Sequence, residues 1–307
     1  MKKSIRIGTR ESQLAVWQAT AVQQLLAGRG FETELVYIKS EGDIDLQTPL
    51  YEMGVQGVFT RSLDTALLNN KIDIAVHSMK DVPVQLAKGI VQAAVLKRAS
   101  YKDLLVCKTD TSFLDNKNGK AVIATSSIRR KAQWLNRYPH HTIENLRGNV
   151  NTRLQKVNSS NWQGAIFAAA GLERIQLRPA NCIELDWMLP APAQGAIMVV
   201  CRENDAFCTG ACIHFNDETT ALCVKIERDF LKTLLGGCST PISALAEAAN
   251  DTIIFKGNIV SPDGTKKIET TATVLMDNAA GTGVQCAIEI LEKGAQEITD
   301  GIRNAAK

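Results

Sequence analysis

The sequence predicts an α/β protein built from two successive units, followed by a small α+β unit at the C-terminus. Three observations carry this expectation. Through the first two thirds of the chain, short apolar runs alternate with stretches of helical apolar spacing, the signature of a parallel or mixed sheet covered on both faces. The pattern restarts near residues 98–104, in RASYKDLLVC. From about residue 217 it gives way to a long helix, extended runs and a final helix.

The elements follow in order. SIRIGT reads as a short strand. ESQLAVWQATAVQQLLAGRG places Leu14, Val16, Trp17, Ala21, Val22 and Leu25 at helical spacing and stops at Gly28 and Gly30. TELVYIKS is a second strand, VFTRSLDTALLNN a helix, KIDIAVHS a third strand and GIVQAAVLK a fourth. After the restart, KAVIATSS is a strand, SIRRKAQWLNRY a helix halted by Pro139, HTIENLRG a strand, NVNTRLQKVN a helix and WQGAIFAAAG a strand. LPAPAQGAIMVVCREND reads as a Pro-rich crossing followed by a strand that returns to the first unit. DETTALCVKIERDFLKTLLGGC is a helix closed by two glycines. TIIFKGNIVSPDG, KKIETTATV and a helix over about residues 279–300 complete the last unit. The expected domains are 1–98 with 197–216, 99–196, and 217–307.

Composition narrows the function. The 307 residues are 45% hydrophobic and 22% charged, ordinary for a globular protein long enough to bury a sizeable core. The net charge of +3, from 35 basic and 32 acidic residues, speaks against a general nucleic-acid binder, and so does an aromatic content of 5% with no rings interleaved among basic residues. Any basic site must be local. The eight cysteines are irregularly spaced, no signal peptide leads the chain, and no apolar run reaches the roughly 20 residues of a membrane helix. A cytoplasmic protein with reduced thiols is expected. Cys208, Cys212 and His214 form Cys-x3-Cys-x-His, but no second pair stands at suitable spacing, so no metal site is expected. No Gly-rich nucleotide loop is present.

Polar clusters stand at strand ends, where open α/β sheets bind ligands. Gly8-Thr9-Arg10-Glu11-Ser12 follows the first strand, and His77-Ser78-Met79-Lys80-Asp81 the third. Thr125-Ser126-Ser127-Ile128-Arg129-Arg130 follows a strand of the second unit, with Arg147 at another strand end and Arg153 in the next helix. In TSSIRR a Ser or Thr caps a helix whose first turn carries two arginines, unfavourable to the helix dipole unless an anion shares the site. The alternative is a capped surface helix with solvated arginines. The repetition of arginines at strand-to-helix junctions favours a polyanionic ligand held between the two α/β units. On this view, replacing Arg129 or Arg130 impairs anchoring and leaves the fold intact. Asp81 among cations stabilises a positive centre or shuttles a proton; the alternative is a weak surface pair with Lys80, although neighbours on an extended chain point to opposite sides. Cys238, after Gly236-Gly237 and before Pro241, lies on a loop. It is a thiol available for covalent work or a structural cysteine.

IGTRESQLAVWQA, DIAVHSMKDVP, ATSSIRRKAQ, LRGNVNTRL, AAAGLERI, LPAPAQGA and LLGGCSTPI, taken together and in this order, resemble the porphobilinogen deaminase family. The resemblance spans most of the chain. It implies two α/β domains with mixed sheets like type II periplasmic binding proteins, and a small α+β C-terminal domain. It also implies a monomer, a dipyrromethane cofactor joined by a thioether to Cys238, and stepwise addition of four porphobilinogen units to a growing oligopyrrole chain. Under the same resemblance Asp81 is the catalytic carboxylate and also contacts the cofactor. Ser78, Lys80, Thr125, Ser127, Arg129, Arg130, Arg147 and Gln194 hold the cofactor with it, and Arg10, Ser12, Arg153 and Arg174 meet substrate or growing chain. A solute-binding protein with the same two α/β domains would explain the arginines but not Cys238 or a third domain. The chain departs from the family pattern at Ala193, usually Gly, at Gln56, often Lys, and at Ser62, often Glu. These positions concern a mobile loop near residues 42–58 and one turn of the hinge.

Overall fold

A computed structural model describes residues 4–39, 60–108, 110–234 and 240–305, with side chains as far as Ile302. The loop near residues 42–58 with Gln56, and the segment carrying Cys238, lie outside the described residues. The chain forms two compact units. Among the described residues one comprises 4–39, 60–99 and 195–222, and the other the remainder.

The first unit is an α/β layer structure. Its strands are β1 (Ile5–Thr9), β2 (Thr33–Tyr37), β3 (Ile74–Ser78), β4 (Ile90–Val95) and β10 (Ile197–Arg202), in the order β2-β1-β3-β10-β4. β1 runs parallel to β2 and β3, and β10, whose return to this unit the Pro-rich crossing predicts, enters antiparallel between β3 and β4. Helices α1 (Gln13–Ala27), α2 (Arg61–Leu68) and α6 (Ala206–Cys212) cover the sheet. α1 buries Gln18, Ala19, Val22 and Leu26 and leaves Trp17 and Leu25 exposed. The buried stripe is therefore rotated from the expected apolar one, because the Gln18 amide is engaged at the end of β3. Cys208 and Cys212 pack into this core beside Ile5, Val22 and Val199. Burial pushes the Cys212 thiol up to about 12, so it behaves as a small apolar side chain rather than a ligand. Asp73 fastens the start of β3. It accepts from Arg6 Nε and Nη2, both at 2.9 Å, and from Arg202 Nη2 at 2.9 Å. Burial alone would raise this carboxyl, but the arginine hydrogen bonds hold it well below the usual carboxylate range.

The second unit repeats the plan. β5 (Asp103–Cys107), β6 (Val122–Ala124), β7 (Thr142–Glu144), β8 (Gly164–Ala168) and β9 (Cys182–Glu184) form a sheet in the order β7-β6-β8-β5-β9. β6 is parallel to β7 and β8, and β5 is antiparallel to β8 and β9. The helices are α3 (Ile128–Arg137), α4 (Val150–Ser159) and α5 (Ala169–Arg174). WQGAIFAAAG divides here: the strand ends at Ala168 and the alanines, the best helix formers, begin α5. Trp134, buried in this core, donates its indole N–H to His141 Nδ1 at 3.2 Å.

The same unit holds the small C-terminal domain. Helix α7 (Glu218–Thr233) precedes an antiparallel sheet, β11-β12-β13, of Ile242–Ala249, Thr252–Val260 and Lys267–Leu275. β11 was not expected, since its Ala-rich stretch has little intrinsic strand preference; its eight-residue register with β12 decides its state. The expected final helix is instead α8 (Thr282–Ile290) and α9 (Gln296–Ala305), broken where Gly294 takes a φ of 99°. α8 lies so close to α7 that a Cβ on Gly283 would stand 2.0 Å from the Ile226 carbonyl oxygen.

Ala193, where the family pattern has Gly, is wholly buried with a φ of 62°, and Gly195 follows at 88°. A left-handed conformation costs a non-Gly residue about 1–2 kcal/mol, whereas the extra freedom of Gly in the unfolded chain costs about 0.4–1 kcal/mol. Ala193→Gly is expected to raise the unfolding free energy by about 0.5 kcal/mol, measured by urea denaturation. A loss of stability would show that packing of the alanine methyl outweighs the backbone strain.

Candidate functional site

In the first unit the parallel pairing of β1 and β3, with Gly8 opposite Ala75, brings their carboxyl ends out on one edge. β1 delivers Arg10, and Ser12 caps α1, its Oγ accepting from the Ala15 N–H at 3.4 Å. β3 delivers Ser78, whose Oγ accepts from Gln18 Nε2 at 2.8 Å. The chain then folds into a 3-10 turn, Met79–Asp81, held where Met79 N–H donates to the Ala196 carbonyl at 3.0 Å. Lys80 and Asp81 therefore sit about a third of a turn apart on a helical turn, not on opposite sides of an extended chain. Both are half-buried. His77, one residue before Ser78, is buried, and its Nε2 has no hydrogen-bond partner among the described residues. Burial first, and the Arg10 charge second, push its imidazole down to about 4, so it is neutral at physiological pH.

In the second unit the ends of β6, β7 and β8 share an edge for the same reason. After β6, buried Thr125 accepts from the Ser127 N–H at 3.2 Å, and Ser127 caps α3. After β7 comes buried Arg147. Gly148, with a φ of 114°, then turns the chain so that Asn149 caps α4. Arg153 Nε donates to the Gly148 carbonyl at 2.7 Å. Arg174 closes α5, and burial lowers its guanidinium to about 10 against the opposing pull of Glu173.

The arginine pair is not solvated, and its anion is already in the protein. Arg129 and Arg130 are 4% and 6% exposed, and both converge on Asp103, which is fully buried at the start of β5. Arg129 Nη2 meets Asp103 Oδ2 at 2.8 Å. Arg130 Nε and Nη2 meet Oδ1 at 3.1 and 2.7 Å, and Gln194 Nε2 reaches the same oxygen at 2.9 Å. Carbonyls take further donors: Leu189 from Arg129 Nη1 at 2.7 Å, and Ile166 from Arg130 Nη1 at 2.9 Å. Burial lowers the Arg129 guanidinium from its ordinary value, with Asp103 opposing and Arg130 assisting. Arg129 Nε is buried with no partner among the described residues. Cys238 lies outside the described residues, and within them no group of three or more His, Cys, Asp or Glu could hold a metal ion.

Sequence reasoning followed the cations and missed Asp103, Gln18 and Glu227. For Asp103 a signal existed: one carboxylate opens the apolar run DLLVC, and a buried carboxylate requires hydrogen-bond donors or cations. Against the expectation that either arginine can be replaced with the fold intact, this network gives both a structural role as well. Arg130→Leu strips two bonds from a buried carboxylate and one from a buried carbonyl. It is expected to lower the unfolding free energy by about 3–5 kcal/mol, with Arg129→Leu, which strips one of each, less damaging. Denaturant midpoints measure both; equal or unchanged midpoints would show that the site relaxes around the loss.

Comparison with known proteins bears on these arrangements as a whole. Residues 5–209 match the family described as "Porphobilinogen deaminase, dipyromethane cofactor binding domain", and residues 221–292 match "Porphobilinogen deaminase, C-terminal domain". A porphobilinogen deaminase of Syntrophotalea carbinolica is 40% identical over 299 residues, covering 96% of this chain and 95% of that protein. Among solved structures, an ancestral cationic amino acid solute binding protein is similar at a TM-score of 0.44 and 15% identity, covering 69% of this chain and 87% of that one. A methionine binding protein is similar at 0.43 and 14% identity, covering 69% and 89%. Two family matches in sequence order, and a relative matched along almost its whole length, place this chain in the porphobilinogen deaminase family.

Proposed function

We propose that this chain is a cytoplasmic, monomeric transferase of haem biosynthesis that condenses four porphobilinogen units, releases ammonia at each addition, and frees hydroxymethylbilane by hydrolysis. The reading includes a dipyrromethane cofactor on Cys238 and three domains, 1–98 with 197–216, 99–196, and 217–307. One observation carries it beyond family membership. Arg129, Arg130 and Gln194 share a single buried carboxylate at the sheet edge that also presents Thr125, Ser127 and Arg147, and Arg129 Nε keeps unused donor capacity.

The donor set fits the cofactor. Dipyrromethane carries acetate and propionate groups, and all but one of the residues offered to it are guanidinium, ammonium, hydroxyl and amide donors, which suit carboxylates, while the Asp81 carboxylate suits pyrrole N–H groups. Ser78, Lys80, Asp81, Thr125, Ser127, Arg129, Arg130, Arg147 and Gln194 would hold it. When bound, the group supplies a nucleophilic pyrrole carbon. Arg10, Ser12, Arg153 and Arg174 would bind the carboxylates of substrate and growing chain and orient them. Asp81, on its short turn, would stabilise the positive charge that develops on substrate as ammonia departs, and exchange a proton with the leaving amine. His77 is neutral and so adds no competing positive charge near Asp81.

Intact-mass spectrometry tests the reading. The protein purified from cells that make porphobilinogen is expected to carry a dipyrromethane adduct, and Cys238→Ser to fold without it. An adduct mapped to another cysteine, or none, would overturn the assignment.

Steady-state kinetics on adduct-bearing Asp81→Asn address the chemistry. Asn keeps the shape and loses the charge, so an interaction made mainly in the transition state is lost while binding remains. kcat is expected to fall at least about a hundredfold with little change in KM. A near-normal kcat would move the role to Glu11 or His77.

A further inference from the structure

Glu227 has no part in the chemistry just described, yet it is wholly buried on α7. Its two carboxylate oxygens accept backbone N–H groups from two different segments: Oε2 from Ala193 at 2.6 Å, and Oε1 from Ala246 on β11 at 2.8 Å. Ala193 is the residue held in the left-handed conformation, and the next residue is Gln194, which donates to Asp103. The segment is tied on its other side as well. The Leu189 carbonyl takes Arg129 Nη1 and Gln133 Nε2, and the Pro190 carbonyl takes the Ala244 N–H at 3.2 Å. A continuous set of buried hydrogen bonds thus runs from Glu227 through the Ala193–Gln194 turn to Asp103 and the two arginines.

A turn with an unfavourable φ persists only where its surroundings over-determine it. The Glu227 carboxylate is suited to that task, because it presents an oxygen to each of two backbone amides. We propose that Glu227 is a positioning residue: it fixes the Ala193–Gln194 turn and thereby aims Gln194, Asp103 and the arginine pair at the cofactor. This rests on the reading that the arginine pair holds dipyrromethane.

Glu227→Gln is the informative change. The amide keeps one acceptor oxygen and turns an NH2 group toward the other backbone N–H, so donor faces donor. Wild type, Glu227→Gln and Phe255→Leu are produced in cells unable to make porphobilinogen, then incubated with porphobilinogen well below their melting temperatures. Adduct formation is followed by intact mass. Phe255→Leu, a buried change in the same domain whose side chain makes none of these hydrogen bonds, controls for lost stability alone. Glu227→Gln is expected to load about tenfold more slowly than wild type, the scale of one charge-assisted hydrogen bond, while Phe255→Leu loads normally. If Glu227→Gln does not fold, Glu227→Asp, whose shorter side chain cannot span both amides, takes its place with the same expectation. Loading at the wild-type rate, or equal slowing in the Phe255→Leu control, overturns the positioning role and leaves the proposed function standing. Failure of the wild type to load overturns the proposed function and this inference with it.

Discussion

The second unit depends on one buried carboxylate. Asp103 has no exposed surface and sits where β5 begins, opposite Ala168 at the end of β8. An isolated ionised carboxylate there would be severely destabilising. Two guanidinium groups and an amide satisfy it, and each of those side chains comes from a different part of the chain than Asp103 itself. The helix that starts at Ile128 and the crossing segment at Leu189–Gln194 are thereby referred to one point. Arginines in the first turn of a helix oppose its dipole. Here that cost is offset by an internal anion, which leaves the guanidinium positions fixed rather than free to follow solvent.

The first unit uses the same device at the opposite end of its sheet. Asp73 pairs with Arg6 and Arg202 and joins β1, β3 and β10 before the strands run toward their carboxyl ends. Its position makes it a fastener, since no predicted site residue lies among its partners. Asp103 differs because its partners are the very residues that family resemblance associates with the cofactor. A buried pair of this kind is weak evidence for stability in itself, as apolar replacements of similar volume often serve as well. What it does impose is a fixed geometry on its cationic donors.

The two units also treat their titratable groups differently. In the first, burial keeps His77 neutral next to the turn that carries Lys80 and Asp81. In the second, burial lowers Arg174 and Arg129 without discharging either, because guanidinium remains protonated far above neutral pH. Arginine therefore tolerates this desolvation, where lysine or histidine would be at risk of losing its proton.

The sequence by itself determined the alternation of strands and helices, the return of the Pro-rich crossing to the first sheet, and the family, because periodicity, capping residues and ordered motifs are local properties. The Ser or Thr cap of TSSIRR, which is Ser127, was legible for the same reason. The short strand β9, the Ala-rich strand β11, the break at Gly294 and the division of WQGAIFAAAG were not, since short or Ala-rich stretches take their state from partners distant in sequence. Arg129 and Arg130 were visible as a cluster, but Asp103, their counter-charge, came from a strand that no motif flagged. The carboxylate of Glu227 likewise meets Ala193 and Ala246 only once helix, crossing and sheet are packed. Which cations are available to a ligand and which are held by the protein is decided by burial and hydrogen bonding in three dimensions, and those are long-range properties that spacing along the chain does not encode.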